Sequence, residues 1–233
     1  MRKLNRWDHA TACKAVDEII GRDPLPRREP EQTLRRLNVS GEDLLSRATD
    51  RSIVQRYLES RGLSARPAVL RGHRRLSYAD EGRFLGYFPA MLAPVVGPDG
   101  ELRSVHRTYL GDVPKRKKLL SAVGTGAAIR LFEPTHELGI AEGIETAIAA
   151  HEMFGLPTWA TISATIMEGF TPPEGIRRIT VFGDNDANFA GQKAAFTLAH
   201  RLHRDLKIEA EVKIPPAVDS DWLDVLISRR AAA

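Results

Sequence analysis

The residues of this chain with the clearest chemical potential are carboxylates that directly follow apolar runs. Asp184 and Asp186 come after the run ITVF, and Glu142 comes after the run LGIA. Side chains at the carboxyl ends of neighbouring parallel strands meet at one edge of a sheet. Carboxylates that converge there repel one another and raise each other's pKa unless a cation lies between them. The pattern therefore predicts a site for a hard divalent ion, Mg²⁺ or Mn²⁺.

Other acidic residues lie where they would enlarge this predicted site. Asp221 and Asp224 follow the next predicted strand, and Asp219 and Glu145 are further candidates nearby in the sequence. A metal site needs oxygen ligands from several segments, which these positions would supply.

A different interpretation of the same residues remains open. Asp or Asn before a helix satisfies free backbone amides, so Asp184 to Asp186 are equally consistent with a helix cap. Glu142 by itself is consistent with a charge stabilised by a helix dipole. The calcium loop that Asp-x-Asp-x-Asn imitates is not predicted, because its sixth and twelfth positions are Phe189 and Ala195 instead of glycine and glutamate.

The elements that must position the carboxylates alternate between strand and helix from residue 138 onward. Predicted strands occur at LGIAE, PTWATIS, IRRITVFGD and AEVKIP, with helices after the first and third and a last helix at WLDVLIS. Such alternation is typical of an α/β fold with a mainly parallel sheet covered by helices on both faces.

Residues 1–134 have a different pattern of apolar and turn residues. Residues 1–64 contain helical patterns, interrupted by a proline-rich linker, and two or three short helices are predicted within residues 31–62. Residues 65–134 contain β-rich runs, and Gly97 to Gly100 form a turn signal that predicts a hairpin. We therefore predict a helical segment, a smaller α+β part and a Rossmann-like part at residues 135–233.

Charge is distributed unevenly along the chain. Lys and Arg outnumber Asp and Glu by 17 to 11 in residues 1–80 and by 8 to 5 in residues 81–134, whereas they are outnumbered by 9 to 14 thereafter. This asymmetry suggests that one part meets a polyanion while another holds cations. The candidate phosphate contacts are Arg107 and the run Lys115, Arg116, Lys117 and Lys118, although a solvated charged loop explains that run equally well.

Composition excludes several classes of protein. The single cysteine, Cys13, is incompatible with a disulfide framework or a multi-thiolate zinc site within this sequence. Neither a membrane-spanning apolar stretch nor an apolar signal-peptide segment occurs, so we expect a cytoplasmic protein with no membrane partner. The sequence also lacks the phosphate-binding loop of a helicase motor.

Three segments together resemble the Toprim domain that primases, topoisomerases and some nucleases share. They are AEGIETA, VFGDNDANFAGQKAA and VKIPPAVDSDWLDVL, which span roughly residues 137–228. The combination is similar to the Toprim primase-like proteins of plasmids, integrative elements and phages. The hairpin with VHRTYL and the basic loop leading to AIRLFEP look like the amino-terminal half of the same primase core.

The resemblance implies roles for particular residues. Glu142 would act in metal binding or acid–base catalysis, Asp184 and Asp186 would bind two divalent ions, and Asp221 and Asp224 would match the later acidic position. Lys193 matches a basic residue of the helix after the pair, where it is a candidate phosphate contact.

The function that the resemblance implies is a DNA primase core. Its substrates would be nucleoside triphosphates and its template single-stranded DNA. Such primases usually carry a zinc ribbon, which one cysteine cannot build. We therefore expect either a truncation or a family member that lost the ribbon. Its activity should be low unless a ribbon or helicase partner acts in trans. A metal-dependent nuclease and a non-catalytic nucleic-acid or replication-partner module are the alternatives. A topoisomerase is not expected, because it needs a tyrosine nucleophile in a further large domain.

Overall fold

The computed structural model describes residues 40–232, which contain two four-stranded sheets. The first is antiparallel with strand order β1-β2-β3-β4, and the second is parallel with strand order β6-β5-β7-β8. The helical patterns predicted before residue 40 lie outside the described residues. Between residues 40 and 232, no helix is long and apolar enough to cross a membrane.

Two short helices precede the antiparallel sheet and pack against it. The elements are α1 (Gly41–Ser46), α2 (Arg51–Ser60), β1 (Arg71–Asp80), β2 (Arg83–Val96), β3 (Leu102–Tyr109) and β4 (Lys117–Leu119). Each helix begins where a side-chain oxygen accepts from a free backbone amide: Ser40 from Asp43 N, and Asp50 from Ser52 N.

The predicted hairpin is confirmed, because β2 and β3 pair in antiparallel fashion on either side of the turn at residues 97–101. The basic run differs from the prediction of a loop. Its second half is the edge strand β4, in which Lys117 pairs with Thr108 of β3.

The predicted Rossmann-like part is confirmed as a parallel sheet with flanking helices. Its elements are β5 (Glu137–Ala141), α3 (Ile144–Phe154), β6 (Thr158–Ala160), α4 (Ala164–Glu168), β7 (Arg178–Phe182), α5 (Ala190–Asp205), β8 (Glu209–Lys213) and α6 (Trp222–Ala231). The sequence pattern did not indicate α4. β5 and β7 are neighbours, with Ala141 opposite Phe182. The sheet therefore ends at one edge with Glu142 beside the turn that carries Asp184.

A shared hydrophobic core joins the two sheets. Leu58 of α2, Ile148 of α3 and Trp222 of α6 are buried in one cluster, which also includes Val95 of β2. A second cluster lies under α5, around Ile179 and Leu198. Because α2 and the parallel sheet bury the same apolar surface, side chains from both parts can line a common site.

We predict that Gly139→Ala destabilises the protein, because Gly139 lies where β5 and its neighbours approach too closely for a side chain. A methyl group there would overlap the Thr158 hydroxyl and come within 2.9 Å of the Phe182 ring. Overpacking of this kind costs about 1–3 kcal/mol, which corresponds to a drop in Tm of roughly 3–10 °C. Thermal melting would measure the change. Gly124→Ala is the matched control, since a methyl group there meets open space, and an equal drop in both variants would contradict the prediction.

Candidate metal and phosphate site

A cavity of about 340 Å³ opens at the carboxyl edge of the parallel sheet, where it faces the antiparallel sheet. Glu142 follows β5, Asp184 follows β7, and Asp221 precedes α6, so three segments that are distant in sequence bring carboxylates to this cavity. Arg116, just before β4, and Lys117, in β4, line the same cavity. The cavity therefore contains both acidic and basic groups.

Asp184 is the carboxyl group of this cavity whose pKa is raised the most. Its Oδ1 atom is buried and has no hydrogen-bond partner. Burial, followed by the charges of Asp221, Glu142 and Asp186, raises the pKa of Asp184 to about 7. Because few protein groups stabilise the negative charge of this carboxylate, its Oδ1 atom is available to bind a cation.

Glu142 experiences the same effects to a smaller extent. Burial and then the charge of Asp186 raise its pKa, while Lys117 acts in the opposite direction. A half-buried carboxyl group whose pKa is raised can exchange a proton more readily near neutral pH than an exposed one.

Asp186 has a structural role that Asp184 lacks. Its Oδ2 atom accepts a hydrogen bond of 2.7 Å from the backbone amide of Gly191, in the first turn of α5. A methyl group on Gly191 would lie 2.7 Å from the Asp184 carbonyl oxygen. One oxygen of Asp186 thus satisfies an amide at the start of a helix, whereas Asp184 Oδ1 has no partner, and the metal-binding role of Asp186 stays a prediction.

Asp221 and Asp224 form a capping box at the start of α6. Asp221 Oδ1 accepts from the amides of Leu223 and Asp224, at 2.8 and 3.0 Å, while its Oδ2 atom accepts from the Thr146 hydroxyl at 3.3 Å. Asp224 Oδ2 accepts from the backbone amide of Asp221 at 3.0 Å. Asp221 thus lines the cavity while also capping the helix, and the metal-binding role of Asp224 stays a prediction.

Glu145 is bound by two groups from the amino-terminal part of the fold. The Tyr57 hydroxyl donates to Oε1 at 2.6 Å, and the Lys117 ammonium donates to Oε2 at 3.2 Å. Burial by itself would raise the pKa of Glu145, but Lys117 and the hydrogen bond from Tyr57 outweigh it, so the pKa is lowered. The Glu145 carboxylate is therefore already paired, and it holds the Lys117 ammonium group in position.

The other basic residues predicted to contact phosphate have different surroundings. Lys118 and Lys115 lie 2.7 and 3.6 Å from the same oxygen of Asp80. Arg107 donates to the Leu119 carbonyl at 2.6 Å. Lys193 pairs with Glu168 at 2.8 Å. Among the predicted set, Arg116 and Lys117 are the residues that line the carboxylate cavity.

The sequence analysis did not assign Tyr57 and Arg61 to the site. Tyr57 and Arg61 of the α2 region line the cavity, although Tyr57 lies 88 residues from Glu145 in the chain. A single tyrosine or arginine in a helical pattern carries no signal of a distant partner, so only the packing of α2 reveals them.

The residues around Asp184 fit a divalent ion that is completed by water and substrate. Within residues 40–232, no three His, Cys, Asp or Glu side chains form a preassembled metal cage. Mg²⁺, however, is usually held by one or two carboxylates together with waters and phosphates. The uncommitted oxygen of Asp184 and the neighbouring Glu142 supply ligands of that kind.

Comparison with known protein families identifies the carboxyl-terminal part of the chain. The family model described as "Toprim domain" matches residues 137–232. The chain contains a Toprim domain. A second model, described as a domain of unknown function (DUF7146), matches residues 42–131. Among curated proteins, none matches this sequence.

Solved structures relate the Toprim domain and the preceding sheet to primases. A DNA primase domain from Pseudomonas aeruginosa is 17% identical, with a TM-score of 0.52, over 75% of this chain and 67% of that one. The primase fragment of the bacteriophage T7 primase-helicase protein is 16% identical, with a TM-score of 0.54, over 75% and 70%. The DnaG primase catalytic domain bound to single-stranded DNA is 12% identical, with a TM-score of 0.53, over 76% and 70%. The described residues therefore have a primase-like Toprim fold.

We predict that Asp184→Asn stabilises the metal-free protein. The folded-state pKa of about 7 lies above the ordinary value of 3.8, so the folded protein retains this proton between those pH values while the unfolded chain loses it. Stability of the wild type should fall as pH rises through this window, and asparagine removes the effect. In EDTA, the Tm of the variant should exceed that of the wild type by at least about 3 °C at pH 8, and by less at pH 5.

The exposed residue Asp112 provides the control for this experiment. Asp112→Asn changes the net charge equally but leaves the cavity intact, so its Tm should follow the wild type at both pH values. Adding Mg²⁺ should raise the Tm of the wild type more than that of Asp184→Asn. A wild type that is the more stable protein at pH 8 in EDTA would contradict the repulsion described for Asp184.

Proposed function

We propose that this chain is the catalytic core of a DNA primase-like nucleotidyltransferase, which makes short primers on single-stranded DNA in the cytoplasm. The observation that carries the proposal is the cavity that Asp184, with its buried and unpartnered Oδ1 atom, lines together with Lys117 and Arg116. Nucleotidyl transfer requires such a combination, because a cation site must lie beside groups that bind phosphate. The primase-like fold of the described residues supports this reaction class.

Glu142, Asp184 and Asp186 are the proposed ligands of one or two Mg²⁺ or Mn²⁺ ions, and Asp221 borders the same space. When bound, such ions neutralise phosphate charge and make a hydroxyl group a better nucleophile. Glu142 is proposed to act either as a ligand of these ions or as a proton acceptor, and in the latter role its burial, which raises its pKa in the metal-free protein, would favour proton exchange.

The basic residues have the complementary role of binding the nucleoside triphosphate. Lys117 is held by Glu145, which is buried, so its ammonium group is restrained at the cavity wall. Arg116 and Arg61 line the same cavity and can form charge-assisted hydrogen bonds to phosphate oxygens. These interactions would offset the repulsion between the negatively charged nucleotide and the carboxylates of the cavity.

Primer synthesis can be tested directly with the full chain. Wild type and Asp184→Ala would be incubated with single-stranded DNA and labelled nucleotides, with either Mg²⁺ or Mn²⁺, in parallel reactions with ribo- and deoxyribonucleotides. We expect short labelled oligomers from the wild type, loss of at least about 100-fold in the variant, and normal synthesis by the control Asp112→Ala.

The same reactions distinguish the alternative functions. Shortening of the input DNA that depends on Asp184, without new oligomers, would replace the proposal with a metal-dependent nuclease. DNA binding without synthesis or cleavage would indicate a non-catalytic module. Equal synthesis by wild type and Asp184→Ala would show that the carboxylate cavity is not the active site.

Lys117 and Lys115 provide a matched pair of neighbouring lysines. Lys117→Gln should raise the KM for nucleotide by about tenfold, because hydrogen bonds to charged groups contribute roughly 1.5–3 kcal/mol. Lys115→Gln should have little effect, since Lys115 is paired with Asp80 away from the cavity. Steady-state kinetics of primer synthesis would measure both, with thermal melting as a check on folding, and equal KM values in the two variants would contradict the proposed contact.

A further inference from the structure

The hairpin formed by β1 and β2 has an exposed aromatic strip that the proposed chemistry does not use. Phe84 and Tyr87 are 42% and 55% exposed. Their ring centroids lie 5.2 Å apart in an edge-to-face arrangement. Neighbouring Leu85 is also exposed. Exposed apolar side chains that contact one another in this way usually mark a binding surface.

Two arginines lie beside this strip because β1 contains a bulge. His73 pairs with Ala90 and Leu76 with Phe88, so β1 has one residue more than β2 between these pairs. Arg74 and Arg75 occupy the bulge, and both are exposed. The guanidinium carbon of Arg75 lies 5.1 Å from the centre of the Tyr87 ring. The strip is therefore both aromatic and basic.

The strip continues into a cavity that is rich in arginine. Tyr87 and Pro89 are two residues apart on β2, so their side chains project from the same face. Pro89 and Arg74 line a cavity of about 720 Å³, to which Arg56 of α2 also contributes. Arg74 is paired there with Asp50 at 2.6 Å, so we assign the phosphate contacts in this cavity to Arg56, Arg61 and Arg116.

This second cavity adjoins the carboxylate cavity. Tyr57, Arg61 and Arg116 line both of them. A ligand that extends from the aromatic strip over the arginines would therefore reach the carboxylates without leaving the protein surface.

We propose that Phe84 and Tyr87 stack against unpaired bases of a single-stranded nucleic acid, whose backbone phosphates follow the arginines toward the carboxylate cavity. Flat rings match the faces of bases, and arginines match phosphates, in the combination that single-strand binding surfaces use. A duplex would not fit this description, because the faces of its bases are covered by stacking. The proposal deepens the proposed function, since it assigns the path of the template. It rests on that function, because the path is taken to lead toward the carboxylate cavity as the active site.

Binding can be measured without catalysis, so failure of this proposal is distinguishable from failure of the proposed function. Fluorescence anisotropy of labelled 16-nucleotide strands would be recorded in EDTA without nucleotides, in parallel for DNA and RNA of the same sequence. We expect Tyr87→Ala and Phe84→Ala each to weaken binding roughly tenfold, as loss of one stacked base would do. Tyr87→Phe should bind like the wild type, because it keeps the ring.

Two controls test the chemistry of the interaction. Phe196, on α5, is 58% exposed and lines neither of these cavities, so Phe196→Ala should leave affinity unchanged. A strand with abasic sites should bind weakly to the wild type and be insensitive to Tyr87→Ala. Arg75→Gln should reduce the dependence of affinity on salt by roughly one phosphate contact, whereas Tyr87→Ala should leave that dependence unchanged.

Several results would overturn the proposal. One is wild-type affinity of Tyr87→Ala for both DNA and RNA, and another is an equal loss on normal and abasic strands. If Tyr87→Ala alters self-association in sedimentation experiments while binding strands normally, the strip is a protein-docking surface instead. Tighter binding of either DNA or RNA, with the expected sensitivity to Tyr87→Ala, would support the proposal and identify the kind of strand.

Discussion

Mutual repulsion of carboxylates at one edge of the parallel sheet is the constraint that the rest of the structure has to overcome. The ionised form of Asp184 is destabilised most, because the side chain is largely buried, has an oxygen without a hydrogen-bond partner, and is repelled by three other acidic groups. Such an arrangement is unfavourable for stability by itself. It is maintained because hydrophobic clusters on both faces of the sheet hold β5 and β7 side by side whatever their ends carry.

The antiparallel sheet supplies the charge that opposes this repulsion. β4 brings Lys117 to the cavity, where it lowers the pKa of Glu145 and acts against the rise in the pKa values of Glu142 and Asp184. Tyr57 of α2 completes the contact through its hydrogen bond to Glu145. Glu145 is therefore one of the residues through which hydrogen bonds join the two parts of the fold, and Glu152, which accepts from the backbone amides of Ser64 and Ala65, is another. Glu145 is buried, but the Lys117 side chain is 55% exposed, so solvent screens part of the attraction in this ion pair.

The basic residues divide into groups with different surroundings. Lys115 and Lys118 are paired with Asp80 beside the Tyr78 ring and contribute to the local structure. Arg61 and Arg116 border both cavities, where a polyanion would encounter them. The basic residues of the described amino-terminal part therefore differ in their surroundings, because some are paired with an acidic neighbour while others line a cavity.

The sequence by itself determined the alternation of strands and helices, the hairpin and the chemical character of Glu142, Asp184 and Asp186. These features are local, since they depend on hydrophobic periodicity, turn residues and the ends of apolar runs. The sequence could not separate Asp184 from Asp186, because a helix cap and a metal ligand call for the same residue type. Tertiary structure gives the two residues different surroundings, with Asp186 Oδ2 held by the amide of Gly191 and Asp184 Oδ1 left without a partner. It also decided the pairing of Glu145 with Tyr57 and Lys117 and the alignment of the aromatic strip with the arginines, because these contacts join segments that only the packing of two sheets brings together.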